Sequence, residues 1–459
     1  MREGLHKILS IDETIVAIST PAGRSGIGVV RVSGRDAMEI AEKFFHGHSV
    51  SKLEHRKAEV GTWRDACGSE VDEVVATMFR APRSYTGEDV LEISAHGNPL
   101  ILGRIVDTVR GAGARLATPG EFTLRAVANG KMDLIQAEAV REFIDAQTDR
   151  QARTALRQMG GALSKRLGPV REKLIDRIAH LEAGIDFADD DVEVPDNRSV
   201  AAEIEPLIQS LEELQETFGY GRILAEGLQV AILGKPNVGK SSLFNRLVAA
   251  DRAIVTEIPG TTRDVITETV SVDGVPLRFA DTAGIRETVD RVEGIGMDRT
   301  FEAMADADFV LVVLDGSTPL DSNDRQVLSR AQAVPHLIVV NKCDLPEASS
   351  APLLNGSVRV SAKTGVGLDL LQDAIRGFLF ERQSEVTDDF LLTNARQNDA
   401  IVRAIAALRA GSSALLDRVP HEMVLLDLYG ALSALGELTG EVVTEDILDR
   451  IFTTFCIGK

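Results

Sequence analysis

The stretch that decides the reading is Leu228-Gln-Val-Ala-Ile-Leu-Gly234-Lys-Pro-Asn-Val-Gly239-Lys240-Ser241-Ser242. The apolar, β-branched run 230–233 predicts a strand, residues 234–241 spell G-x-x-x-x-G-K-S, and Leu243-Phe-Asn-Arg-Leu247 predicts a helix. In that strand, loop and helix setting, glycines let backbone N–H groups turn inward toward a phosphate chain, and the helix adds its positive N-terminal end. Asn237, Val238, Gly239 and Ser242 complete the expected loop. Lys240 is expected to reach the β and γ phosphates, and Ser241 to hold Mg²⁺.

Downstream, Asp281-Thr282-Ala283-Gly284 ends a predicted strand at 275–280 and supplies a D-x-x-G sensor of Mg²⁺ and γ-phosphate. Asn341-Lys342-Cys343-Asp344 follows the apolar run 337–340, and Ser361-Ala362-Lys363 follows 358–360. Each motif is short, and their order carries the information. The Asp344 carboxylate can accept from both N1–H and the exocyclic amine of guanine, whereas adenine would leave it unpaired, so the nucleotide is GTP or GDP. The loop Thr256-Glu257-Ile258-Pro259-Gly260-Thr261-Thr262-Arg263-Asp264 is long enough to fold over the nucleotide, and one of its threonines should complete the Mg²⁺ shell. Ile285 stands directly after Gly284, where Ras-like proteins place a water-orienting glutamine. An aliphatic chain cannot orient water, so another group must do so, and the γ-phosphate charge can be neutralised by something other than an arginine finger.

The 459 residues predict two or three domains, and a 44% hydrophobic content suffices for several cores. Cys67, Cys343 and Cys456 lie far apart, which suggests neither a disulfide framework nor a zinc site. No apolar run approaches the ~20 residues of a membrane span, and the segment MREGLHKILSIDE lacks a signal-peptide core. The expectation is a soluble, cytoplasmic protein with no membrane contact. A formal charge of −20 argues against general nucleic-acid binding, so any RNA contact must use a local basic patch.

Outside the GTP-binding segment the chain reads as follows. Residues 12–112 alternate strands (14–19, 29–32, 71–79, 89–94) with a helix at 35–45 that turns Met38, Ile40, Ala41, Phe44 and Phe45 inward, an α+β pattern. The glycines of 21–28 precede a strand, so they mark a hairpin turn and not a dinucleotide fingerprint. His96 reads as a loop histidine, not a catalyst. Thr118-Pro119-Gly120-Glu121 opens a helix with a capping threonine, proline at the first position and glutamate at the third. From 133 to 187 the pattern is helical, with breaks expected at Gly160-Gly161 and Gly168-Pro169. Eight Lys or Arg between 150 and 177, against Glu172 and Asp176, form either an RNA-facing surface or a solvated helix face. Residues 186–193 read as an acidic connector, lacking the glycine and terminal glutamate of a Ca²⁺ loop. Ser199 is expected to cap a helix over 200–218, with Gly219-Tyr-Gly221 as a boundary. Residues 222–384 show the alternation of a doubly wound sheet. Helices expected at 393–416, 423–435 and 444–451 lack partners of their own, which makes the GTP domain an insertion in a helical domain.

Taken together, GKPNVGKSS, PGTTRD, DTAGIR, NKCD and SAKTG, with PRSYTGEDVLE, HGNP, TPGEFTLRA and NGKMDLIQAEA upstream and the final Phe455-Cys-Ile-Gly-Lys459, resemble the MnmE (TrmE) family of tRNA-modifying GTPases over essentially the whole chain. The resemblance implies a multidomain α/β chain: a folate-binding and dimerising α+β domain (1–130), a helical all-α domain (131–221 and 385–459), and an inserted Ras-like doubly wound P-loop GTPase domain (222–384). It implies a homodimer that, with the flavoprotein MnmG in a heterotetramer, installs aminomethyl or carboxymethylaminomethyl groups at carbon 5 of the tRNA wobble uridine. The one-carbon unit comes from a tetrahydrofolate derivative, 5,10-methylene in the reaction or 5-formyl as a probe. In the family K⁺ replaces an arginine finger, with ligands that fall on Asn237, Thr256, Ile258 and Thr261, while Thr262 matches the Mg²⁺ ligand. Glu293 matches the glutamate that helps orient water. Folate contacts carry over to Arg31, Glu92, Lys131 and Lys459, and Cys456 to a cysteine important for modification. From the residues alone, Asn237 is an apt neutral ligand for a monovalent cation, Glu293 reads as a surface residue, and Arg31 is a strand charge in need of an anionic partner. Cys456 superficially fits a prenylation box, but lysine is not a usual last residue. A ribosome-assembly or regulatory GTPase acting as a binding timer is the alternative, and it leaves the N-terminal domain and the terminal cysteine idle.

Overall fold

A computed structural model describes residues 12–47, 53–186, 196–250, 268–279, 307–346, 356–381, 390–442 and 444–459. They form two compact units. The first comprises Met1–Arg141, Met159–Ala179 and Leu425–Lys459, the second Glu142–Gln158 and His180–Val424.

In the first unit, β1 (Ile15–Ile18), β2 (Gly28–Ser33), β3 (Phe45–Gly47), β4 (Ala58–Arg64), β5 (Glu70–Phe79), β6 (Val90–Ala95) and β7 (Arg115–Leu116) make one sheet in the order β3-β4-β5-β6-β2-β1-β7. All pairs are antiparallel except β1 with β7. Period-two alternation sends Val30, Val32, Met78, Leu91 and Ile93 to one face, where helices Ala37–Phe44 and Pro99–Gly111 cover them with Ile40, Phe44, Ile105 and Val109. The same alternation leaves Arg31 off the core face, and register sets it directly opposite Glu92. The charge at 31 thus has its anionic partner on the neighbouring strand.

Strand β4 carries no clear sequence signal because Gly61 interrupts its apolar pattern. Close approach explains the glycine: a Cβ there would lie 2.4 Å from the His46 carbonyl of β3. The helix foreseen from Thr118 begins only at Glu121, since Gly120 takes a left-handed backbone (φ 68°). Glu121 nevertheless reaches back to the Thr118 N–H at 2.9 Å, as a capping glutamate does. The break at Gly160-Gly161 is real, but helix Ala162–Asp186 runs straight through Gly168-Pro169. Proline costs about 3 kcal/mol inside a helix. Burial of Leu163, Leu167, Val170, Leu174 and Ile178 on one stripe offsets it with on the order of 10 kcal/mol.

In the second unit, β8 (Leu228–Leu233), β9 (Glu268–Val272), β10 (Val275–Phe279), β11 (Phe309–Asp315), β12 (His336–Asn341) and β13 (Val358–Arg359) form a sheet in the order β13-β12-β11-β8-β10-β9. It is parallel except for β9 against β10. Helices Lys240–Ala250 and Ser322–Ala331 connect strands, Leu368–Glu381 follows the last of them, and apolar clusters fill both faces. Strand order reverses at β8, so the loop after Leu233 opens at the switch point where such sheets bind ligands. Helix Asn197–Glu216, which precedes this sheet in the chain, packs along Ala395–Leu416, which follows it. Its cap is Asp196, not Ser199, and it contains Pro206. Gly219-Tyr-Gly221 is no boundary, because helix Phe218–Glu226 spans it. The break falls at Thr217, whose hydroxyl donates to Leu214 O and accepts from the Leu392 N–H. Gly221 is needed because a Cβ would meet Leu392 O at 2.3 Å.

Back in the first unit, Arg125 is fully buried and held by Glu121 and Glu88, and Arg115 donates to both Glu121 oxygens at 2.7 and 3.0 Å. Burial alone would raise the Glu121 pKa, but the hydrogen bonds from Arg115 and Thr118 and the charge of Arg125 outweigh it and hold the carboxyl down to about 2. A depressed carboxyl stabilises the fold above its unfolded value near 4.5, and that contribution is lost as pH falls toward 2. Acid should therefore remove on the order of 3 kcal/mol from this group. Glu121→Gln should be less stable than the parent at pH 7 and show a shallower loss between pH 4.5 and pH 2 in urea unfolding. Parallel pH profiles for the two proteins would refute the assignment.

Candidate functional site: a guanine-nucleotide loop and a second, cationic cradle

Residues 234–241 leave the carboxyl end of β8 and enter helix Lys240–Ala250. Gly234 and Gly239 take φ of 150° and 97°, and neither position has space for a side chain. A Cβ would stand 2.4 Å from Val313 O at the first and 2.2 Å from Asn341 Nδ2 at the second. Asn237 is exposed in a left-handed conformation (φ 63°), which asparagine tolerates better than most residues. Lys240 Nζ donates to Gly234 O at 2.8 Å and Lys235 O at 3.0 Å, inside its own loop. Burial pushes its pKa down, and a phosphate chain would supply the missing counter-charge. Lys235 pairs with Asp324 at 2.8 Å and Asp321 at 3.0 Å, anchoring the loop to the cap of helix Ser322–Ala331.

The base-recognition loops meet the phosphate loop through one buried side chain. Asn341, at the end of β12, donates from Nδ2 to Val238 O (2.8 Å) and accepts at Oδ1 from the Ala362 N–H (2.9 Å). Ser361, fully buried, donates to Asp344 Oδ1 at 2.7 Å, which is the main reason the Asp344 pKa lies below the usual carboxylate value. Lys342, in a left-handed conformation, reaches Asp315 Oδ2 at 2.6 Å. Arg246 grips the carbonyls of Ala362 and Lys363 from the helix after the phosphate loop. An ionised, oriented Asp344 beside Ser361, Ala362 and Lys363 is the acceptor that guanine's paired N–H donors require. Asp315 and Lys235 were not foreseen from the sequence. Asp315 carried a readable signal, an acid ending an apolar strand.

Ser241 and Ser242 open the helix beside Lys240, where a hydroxyl can serve Mg²⁺, and the exposed Asn237 amide offers the neutral oxygen that K⁺ favours. The donors present fit both ions. Thr256, Glu257, Ile258, Pro259, Gly260, Thr261, Thr262, Asp281, Thr282, Ala283, Gly284 and Glu293 lie outside the described residues, as does 187–193 of the acidic connector. Among the described residues no cluster of three or more His, Cys, Asp or Glu is placed to hold a metal.

The first unit builds a separate cradle. The Arg31 guanidinium donates to Glu92 Oε1 at 3.0 and 2.8 Å and to Gly458 O at 3.2 Å. The Tyr85 and Phe122 rings lie 5.6 and 5.7 Å from it. Tyr85 is fixed in turn by a 2.8 Å hydrogen bond with Thr123. Gly458 (φ 94°) sits flat on the end of β1, where a Cβ would lie 2.7 Å from Ile18 O, and Ser19 donates to its carbonyl at 3.1 Å. Lys459 is thereby set near Arg31, Glu92 and Cys456, and burial, then Arg31, lowers its pKa. Cys456 is exposed, and its carbonyl accepts from Gly120 N at 3.4 Å. Lys131 reaches Pro82 O at 2.9 Å, on the loop that carries Tyr85. His96 is an exposed residue paired with Asp72. Sequence reasoning named Arg31, Glu92, Lys131 and Lys459 but missed Ser19, Tyr85 and Phe122.

A phosphate loop at the switch point of a doubly wound sheet, backed by Asn341 and Asp344, defines a P-loop GTPase fold. Residues 14–131 match the family described as GTP-binding protein TrmE N-terminus, and 134–456 match the MnmE helical domain. The chain belongs to the MnmE (TrmE) family. It is 49% identical over 458 residues to the tRNA modification GTPase MnmE of Koribacter versatilis (strain Ellin345), covering 98% of this chain and 100% of the relative. It is 45% identical over 454 residues to that of Geobacter sulfurreducens, with the same coverage. A likeness to the G domain of the T. maritima FeoB iron transporter covers 34% of this chain and 98% of that one, at 23% identity and a TM-score of 0.24. No helix among the described residues is long and apolar enough to cross a membrane.

Asp344→Asn replaces an acceptor with a donor at the base contact. GTP affinity should fall by ~100-fold or more, while xanthosine triphosphate, which carries a carbonyl in place of the amine, should bind more tightly than to the parent. Competition titration with both nucleotides checks this, and an unchanged preference for GTP would show that Asp344 does not read the base.

Proposed function

We propose that this chain is a GTP-hydrolysing enzyme of tRNA modification. It acts with the flavoprotein MnmG on carbon 5 of the wobble uridine and uses a one-carbon unit from methylenetetrahydrofolate. It works as a cytoplasmic homodimer that joins MnmG in a heterotetramer. Its parts are a folate-binding domain (1–130), a helical domain (131–221 and 385–459) and an inserted GTPase domain (222–384). Packing of Asn197–Glu216 along Ala395–Leu416, helices from both sides of the GTPase sheet in sequence, supports the insertion.

The observation that carries this reading is the seating of Gly458 and Lys459 beside Arg31 and Glu92. A GTPase that merely times a binding event has no use for a cradle of this kind. Arg31 and Lys459 present cationic groups to an anionic, flat ligand, Glu92 holds Arg31 in place, and the half-buried Tyr85 ring gives that ligand an apolar wall, while the buried Phe122 ring packs against the guanidinium from within the core. Cys456 stands at the same edge. These residues fit a reduced pterin with its carboxylate tail. When bound, tetrahydrofolate supplies the one-carbon unit, and Mg²⁺ and K⁺ supply positive charge at the phosphates. At the nucleotide, Lys240 and the backbone of 237–241 would hold the phosphates, Ser241 and Thr262 would serve Mg²⁺, and Asn237 with Thr256, Ile258 and Thr261 would serve K⁺. Glu293 orients water, and Asp344 selects guanine.

Calorimetry of the full chain with 5-formyltetrahydrofolate tests the cradle. Arg31→Ala should weaken binding at least ~10-fold, the loss expected for one charged hydrogen-bonding group, and leave GTP affinity intact. Absence of folate binding by the parent protein would favour the binding-timer alternative. Replacing K⁺ with Na⁺ should slow GTP turnover, and Asn237→Ala should abolish that response while nucleotide affinity stays within about threefold. Equal turnover in the two salts would remove the cation from the mechanism.

A further inference from the structure

The first unit carries a concentrated cationic edge in a chain whose net charge is −20. Arg56, Lys57, Arg80, Arg83 and Lys131 are all exposed. They come from three separated segments, and hydrogen bonds knit those segments together. Arg56 N donates to Met78 O at 2.8 Å, Arg56 Nη2 to Arg83 O at 3.1 Å, and Arg83 N to Arg80 O at 2.8 Å. Arg80 N donates to His55 Nδ1 at 2.9 Å, and Lys131 Nζ to Pro82 O at 2.9 Å. Two carboxylates border the group: Glu54 pairs with Lys57 at 3.2 Å, and Asp89 accepts from Ala81 N at 2.7 Å. Among the described residues, none of Arg56, Arg80, Arg83 and Lys131 is paired with a carboxylate.

We propose that this edge binds the RNA backbone, with Arg56, Arg80 and Arg83 contacting phosphates on either side of a base presented to the Arg31 cradle. The inference rests on the tRNA reading above and adds a surface to it. Placement favours RNA: Lys131 hangs from the Pro82 carbonyl, and three residues on, Tyr85 packs on the Arg31 guanidinium, so one loop carries both the patch and a contact of the cradle. A base offered there brings its flanking phosphates onto this loop. Forked guanidinium donors match phosphate oxygens, and a few unpaired cations on an acidic protein set where a polyanion can land. Of the helical basic run at 150–177, by contrast, Arg150 faces Asp273 and Arg171 is paired with Glu441.

The test uses the full-length protein and a fluorescein-labelled anticodon stem-loop RNA, followed by anisotropy between about 50 and about 200 mM salt. Arg80→Glu with Arg83→Glu should weaken binding at least ~10-fold and flatten the slope of log affinity against log salt by about 1.5 to 2. Arg80→Lys with Arg83→Lys, which keeps the charge, should stay within about threefold of the parent. GTP turnover and affinity for 5-formyltetrahydrofolate should not change in either variant. If charge reversal leaves RNA affinity and salt slope as in the parent, the proposal fails while the tRNA reading stands. If reversal instead weakens only a poly-γ-glutamyl folate, the patch serves the cofactor tail and the RNA assignment is overturned. A parent protein that binds folate but no RNA would bring down the tRNA reading and this surface together.

Discussion

The nucleotide site depends on one buried amide. Asn341 joins the carbonyl of Val238 in the phosphate loop to the N–H of Ala362 in the base-recognition loop, 103 and 21 residues away in the chain. A buried amide group must satisfy its polar atoms, and here both ends are satisfied only if the two loops stand at one fixed distance. Gly239 follows from the same constraint, since any side chain there would occupy the space of Asn341 Nδ2. The phosphate loop and the loop at Ala362 thus share a single spacer. The ionised Asp344 and the buried Lys240 are in place because that spacer is.

The first unit solves a different electrostatic problem. Its sheet covers one face with helices and leaves charge on the other, where Arg31 is held by Glu92 across the β2–β6 pair and by the carbonyl of Gly458. Burying Phe452 and Phe455 against Ala128 and Leu134 brings the end of the chain to this face. Beneath it, Glu88, Glu121, Arg115 and Arg125 form a network in which each buried charge has a partner. Such networks add little net stability over an apolar core, but removing one member strands the rest. They fix the helix bearing Phe122, whose buried ring packs against the Arg31 guanidinium.

Several local readings failed where packing overruled propensity. Pro169 sits inside a helix, and Gly219-Tyr-Gly221 does not end one, because in both cases an apolar stripe continues through the breaker. Strand β4 was illegible for the opposite reason: Gly61 weakens its pattern, and its place in the sheet is set by how close β3 must come.

The sequence by itself determined the contiguous motifs of the proposed nucleotide site: the phosphate loop, the Asn341–Asp344 turn and the Ser361–Lys363 loop. Each is a short segment closing an apolar strand, so its chemistry and its placement at a strand end are written within a few residues. Arg31 could be marked as a charge wanting a partner. That the partner would be Glu92, that Gly458 would cap it, and that Arg56, Arg80 and Arg83 would gather beside Lys131 was decided only by the tertiary structure. Those contacts join segments tens to hundreds of residues apart. No local propensity encodes them; they form only when sheet register and core packing meet the entropy of bringing distant segments together.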